Sequence, residues 1–126
     1  MKKTLYILLF TATLCTSCEE VVGVDVGNSP PRLVVEASIN WQKGSSGNYQ
    51  AIRLSSSTGF YEGYIPTVSG ATVFITNSSG LTFEFPESSS DNGLYVCGTF
   101  EPVIGETYTL TIRHKEETYT AVETLL

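Results

Sequence analysis

The chain has 126 residues, 41% of them hydrophobic, and a net charge of −6 from 7 basic and 13 acidic side chains. That length fits one small domain, and the apolar alternation along it excludes a disordered chain. The acidic balance without a basic patch excludes nucleic acid, which needs Lys and Arg to replace phosphate counterions, and electrostatic docking on anionic lipid.

Met1-Lys2-Lys3 is a positive n-region, Leu5 to Leu14 an apolar h-region, and small residues follow up to Cys18. This pattern predicts a helical secretory signal over residues 1–17, since the apolar run falls short of the ~20 residues that span a bilayer. Thr16-Ser17-Cys18 resembles the lipobox read by lipoprotein signal peptidase. Cys15 stands where Leu is usual, with Leu14 one place off. Cleavage between Ser17 and Cys18 would leave Cys18 as the first residue, lipidated on its thiol and then on its new amino group. Each buried methylene contributes roughly 0.8 kcal/mol, so several acyl chains make release negligible. The competing reading is ordinary cleavage after Ser17, with Cys15 and Ser17 as the small residues. Glu19-Glu20 is similar to the acidic export signals of Bacteroidota surface lipoproteins, and reads equally well as a solvated leader.

Residues 18–31 form a lipidated N-terminus and flexible tether, in which Gly23, Gly27 and Pro30-Pro31 prevent a helix. Residues 32–126 form a β domain. Leu33, Val35, Ala37, Ile39 and Trp41 alternate with polar or exposed positions, which predicts a first half-buried strand facing inward through Trp41. A Gly44 to Asn48 turn leads to a second strand over 49–54, with Ile52 and Leu54 inward. Ser55 to Gly70 reads as a loop with a short edge strand limited by Pro66. Ala71 to Thr76 and Leu81 to Phe85 form a hairpin around Asn77-Ser-Ser-Gly80, where Gly80 supplies positive φ. Pro86 to Asn92 is a polar loop, and strands follow over 93–100 and from Gly105, with Tyr108, Leu110 and Ile112 inward. Tyr119, Ala121 and Glu123 predict a final strand after the Lys115 to Glu117 turn. Seven or eight short strands predict an all-β sandwich.

Asp91-Asn-Gly93-Leu-Tyr95-Val-Cys97 resembles the immunoglobulin strand-F signature, in which the tyrosine makes a corner hydrogen bond. The partner cysteine is missing and Trp41 is not on the third strand, so the resemblance implies a sandwich with a tyrosine corner. Cys97 is expected to be a buried small hydrophobe. Over residues 18 to about 121 the chain also resembles a family of Bacteroidota outer-membrane lipoproteins of unassigned function, often encoded beside TonB-dependent receptors. The motifs are the lipid cysteine with acidic residues, Pro31 to Ile39, Ile65-Pro66, Gly70 to Ile75 with the Asn77 to Gly80 turn, Gly93-Leu-Tyr95, Gly105 to Ile112, and Tyr119-Thr-Ala121. The resemblance implies an N-terminal immunoglobulin-like or transthyretin-like sandwich at the outer membrane, usually continued by a second β region. The end at Leu126 reads as a truncated gene or an isolated first domain.

Catalysis is not expected. His114 lacks a partner in sequence, no Gly-x-Ser-x-Gly elbow is present, and the Ser55 to Ser57 and Ser88 to Ser90 runs read as flexible loops. Asp91-Asn92-Gly93 lacks the further oxygen ligands of a calcium loop. No metal and no cofactor is therefore expected. The binding candidate is the aromatic loop of Phe60, Tyr61 and Tyr64, since tyrosine is large, rigid and amphipathic. The competing reading has these rings closing the sandwich edge. The expected function is a non-enzymatic binding or accessory module for a TonB-dependent receptor, held on the outer membrane with the cell surface as its expected face. The alternative is a structural or adhesive subunit that self-associates through sheet edges. A hydrolase ranks last.

Overall fold

The computed structural model describes residues 1–4, 29–59 and 62–126, with a helical turn at 2–4 ahead of an all-β domain. Seven strands form it: β1 (Leu33–Ala37), β2 (Gln50–Ser56), β3 (Thr72–Asn77), β4 (Thr82–Glu84), β5 (Leu94–Cys97), β6 (Thr107–His114) and β7 (Glu117–Thr124). They make two antiparallel sheets, β1-β2-β5 and β4-β3-β6-β7, and so a sandwich. An immunoglobulin constant domain orders its strands 1-2-5-4 over 3-6-7. Here the fourth strand has moved to the edge of the other sheet, beside β3, and the rest of the order is unchanged.

The period-two pattern builds the core as expected. Ile52 and Leu54 of β2, Val73 and Ile75 of β3, Tyr108 and Ile112 of β6 are buried, with Leu110 packed against them. Phe100 sits beyond the end of β5, in a loop, yet has no exposed surface. Its ring centroid lies 4.9 Å from that of Phe83 and 5.1 Å from that of Tyr108, in tilted and edge-on contacts that aromatic quadrupoles favour. Cys97 is buried and in no disulfide, a small core residue whose Sγ lies 3.5 Å from Thr99 Oγ1.

The β3–β4 hairpin closes as its sequence dictates. Gly80 has φ +85°, and the Asn77 side chain accepts the Leu81 N–H at 2.8 Å, which caps the turn. The β6–β7 hairpin turns on Lys115-Glu116, with Lys115 at φ +55°.

Five expectations need correction. The strand expected over 93–100 ends at Cys97, and the chain leaves the sheet before Phe100. β1 ends at Ala37, so Trp41 does not continue its inward face; it stands on the loop beyond, 50% exposed. Ser55 and Ser56 belong to β2, because Ser56 N–H donates to Pro66 C=O and Val68 N–H to Leu54 C=O, which prolongs the strand past its pairing with β5. The edge strand expected between Ser55 and Gly70 reduces to a single Ser55–Thr67 bridge. Asp91 to Cys97 forms the turn into the fifth strand and that strand itself, not strand F, whose position β6 occupies. The corner hydrogen bond is accordingly made by Tyr108 near the start of β6. Its hydroxyl accepts the Val103 N–H at 2.9 Å and reaches the Glu101 carbonyl at 3.4 Å, a few residues upstream. Tyr95 has a different task, described below.

Candidate functional site

Cys18 and Ser17, most of the tether, and Phe60 and Tyr61 lie outside the described residues. Of the aromatic loop, Tyr64 is described and is 67% exposed, next to an equally open Ile65. Tyr64 is therefore not one of the rings that close the sandwich.

The base of this loop is held firmly. Ser57 N–H donates to the Arg32 carbonyl and Arg32 N–H to Ser57 Oγ, both at 2.8 Å, which ties the loop to the residue before β1. At its other end the fully buried Tyr95 hydroxyl donates to Val68 C=O and accepts the Ala71 N–H, each at 3.0 Å. Burial pushes the phenol up from its ordinary value. Glu87 adds a second clamp, its two oxygens accepting Gly93 N–H at 2.8 Å and Gly70 N–H at 2.9 Å. Those backbone donors, with the Ser69 hydroxyl, hold its carboxyl below the usual carboxylate range. Gly93 has φ +77°, and a Cβ there would lie 2.7 Å from the Leu54 carbonyl oxygen. The Asp-x-Gly-x-Tyr signature thus fastens the β2–β3 connection to β5. Asp91 pairs with Arg53 at 2.7 Å across the same junction, half-exposed and so screened by solvent.

The second open region lies between the sheets. β1 is one edge of the first sheet and β7 one edge of the second, and all eight β7 residues are exposed. Tyr119, Ala121 and Glu123 lie opposite the inward residues Ile112, Leu110 and Tyr108, so they face the inside of the sandwich. Between them and β1 a cleft of about 500 Å³ opens, lined by Ile39, Ile52, Leu110, Ala121, Glu123 and Leu125 among others. Leu125 exchanges hydrogen bonds with Gly105 and Glu106 on the β6 side. With that register, the N–H and C=O groups of Thr118, Thr120, Val122 and Thr124 point away from β6. Among the described residues nothing pairs with that edge.

Alternation in β1 and β7 predicts their inward faces. It carries no sign that neither strand has a partner beyond it, so sequence reasoning missed the cleft.

No constellation of catalytic type accompanies these surfaces. His114 is half-buried on the rim, with Nδ1 buried and unpartnered among the described residues. No group of three His, Cys, Asp or Glu able to hold a metal occurs among the described residues, nor does a helix long and apolar enough to cross a membrane.

A family model described as "Domain of unknown function (DUF4249)" matches residues 19–126. The chain belongs to that family. The match covers the whole sandwich and starts one residue after Cys18. Neither the curated proteins nor the solved structures give a match.

Proposed function

We propose that this DUF4249 chain is a lipid-anchored outer-membrane lipoprotein that binds a TonB-dependent receptor as a non-enzymatic accessory. The anchor rests on the lipobox-like Thr16-Ser17-Cys18, and the partner on the resemblance set out above. The observation that carries a binding role is β7. It is eight residues long and exposed throughout, with no Lys, Pro or bulge along it, and its only charges are Glu117 at its start and the inward Glu123. An extended partner segment laid on this edge gains a ladder from Thr118, Thr120, Val122 and Thr124. It also drops every second side chain into the apolar cleft. Glu123 at the cleft mouth selects for a Lys or Arg in that segment.

The test is recovery of tagged protein from gently solubilised outer membrane, with mass spectrometry of what accompanies it. A stoichiometric TonB-dependent receptor that is lost from the Ala121→Lys variant supports the reading. A receptor bound equally by that variant removes β7 from it, and no receptor at all overturns it. Partition of the Cys18→Ser variant into the detergent phase like wild type would remove the anchor.

The same edge supports a second reading, self-association. Two β7 strands paired antiparallel about Ala121 set Glu123 opposite Tyr119 and Glu117 opposite Leu125. No like charges then face each other, and each copy's cleft is closed by the other. Recovery of the chain alone, as a dimer that Ala121→Lys dissociates, would favour it.

A further inference from the structure

The connection between β1 and β2 runs from Ser38 to Tyr49, well beyond the roughly 2–5 residues that join most hairpins. Its length is not slack. The Gln50 side chain, 3% exposed, lies under it, with Oε1 accepting Asn40 N–H at 2.9 Å. Gln50 Nε2 donates to the carbonyls of Asn40 and Gly47 at 2.8 and 2.7 Å. Ser45 closes a turn on the Gln42 carbonyl through both its N–H and its hydroxyl. A buried amide with its groups satisfied in this way holds a loop in one arrangement.

The loop uses that rigidity to present aromatic rings. Trp41 Nε1 donates to the Ser45 carbonyl at 2.9 Å, which fixes the indole by its edge and leaves a face as the available surface. The ring is backed by Gly47, at φ +64°, where a Cβ would lie 2.7 Å from Trp41 Cδ1 and 2.9 Å from Pro102 Cγ. Only glycine lets the backbone come so close. Trp41 and Tyr49 are half to two-thirds exposed, and between them lies an open hollow of about 570 Å³ bordered by Asn40, Gln42, Ser46 and Asn48. The side chains of Gln42, Ser46 and Asn48 have no partner among the described residues. No Asp, Glu, Lys, Arg or His lines the hollow.

We propose that this hollow is a carbohydrate-binding site for a neutral oligosaccharide or polysaccharide. The C–H face of a pyranose stacks on an indole or phenol ring. Its vicinal hydroxyls, each both donor and acceptor, are matched by primary amides and serine hydroxyls, which are also both. The absence of any ionised lining group favours an uncharged ligand, because an acidic or basic one would shed its hydration without a counter-charge. An open hollow suits a chain passing across it. The position agrees: β1 runs away from the Arg32–Ser57 junction, so the Trp41 loop lies at the end of β1 opposite the point where residues 29–32 enter the sandwich. The site uses neither the β7 edge nor the cleft, and stands or falls apart from the receptor reading.

Trp41 is the only tryptophan in the chain, so its emission reports on this site alone. The experiment is affinity electrophoresis of the full chain through gels holding β-glucan, xyloglucan, galactomannan, starch, dextran or polygalacturonate, with fluorescence titration by fragments of the retarding polymer. A neutral polymer should retard the wild type and shift Trp41 emission saturably, and polygalacturonate should not. Tyr49→Ala should weaken binding about tenfold, the loss of one ring contact. Trp41→Ala should abolish retardation while the urea midpoint stays within error of wild type. The double variant Gln42→Ala, Asn48→Ala removes only exposed amides, so weakened binding in it keeps the test clear of folding. Equal migration of wild type and Trp41→Ala in every neutral gel would overturn the proposal, as would retardation by polygalacturonate alone.

Discussion

The two flanks of the sandwich carry the same alternation and fill it differently. On one, Phe100 is sealed with Tyr95 and Leu54, and the Glu87 and Tyr95 clamps close the end. On the other, β1 and β7 hold inward positions of equal regularity, yet Val35 and Tyr119 stay open to solvent. Both flanks follow the period of two. The difference is that the first has an opposing layer and the second a cleft. Apolar patterning is thus an offer of burial, and only a facing surface turns it into stability.

Substitutions should separate the flanks sharply. The largest effect is expected for Phe100→Ala, about 3–5 kcal/mol of lost stability in urea unfolding, because the ring touches three other aromatics and leaves a cavity. A loss below about 1 kcal/mol would mean that the closed flank relaxes as freely as the open one.

Tyr95→Phe comes next. It leaves the Ala71 N–H and the Val68 carbonyl without their partner, and a buried unsatisfied group costs about 1–3 kcal/mol. Tyr119→Phe removes an exposed hydroxyl that bonds only Glu117 and should change the midpoint by less than about 0.5 kcal/mol. Equal losses for the two would erase the contrast.

A smaller effect is expected from pH. The folded Glu87 carboxyl lies below its ordinary value of 4.5, so it adds stability that is fully present above that pH. That contribution fades as pH falls through the lower folded value. Urea midpoints taken from pH 7 down to pH 3 should therefore drop below about pH 4.5, and Glu87→Gln should flatten the drop. The smallest effect belongs to β7. Val122→Thr should leave the urea midpoint within about 0.5 kcal/mol of wild type, because its side chain is 63% exposed.

Much of the fold was legible in the residues. Leu54, Ile75 and Ile112 announced inward faces by spacing, Gly80 its positive φ, and Lys115-Glu116 the last hairpin, because these features are local. Tyr95 announced a hydrogen bond but not its direction. Its signature suited strand F, whereas the chain order put it on the fifth strand, and Tyr108 took the corner. Of the aromatic loop only Tyr64 is described; spacing left open whether it closes the sandwich or faces out, and its surroundings put it outside. The cleft and the Trp41 hollow were not legible at all.

The sequence by itself determined the strand periodicity, the turns, the acidic balance and the lipobox-like Thr16-Ser17-Cys18 motif, since each is written in composition or in neighbours a few residues apart. Tertiary structure alone decided that β1 and β7 are edges, that Phe100 is core though it lies in a loop, and that Trp41 turns outward over Gly47. Those outcomes depend on which distant segments meet: Gln50 reaching back to Asn40, Glu87 bridging Gly70 and Gly93, and nothing described standing beyond β7. Burial belongs to a pair of surfaces, and a sequence records only one of them at a time.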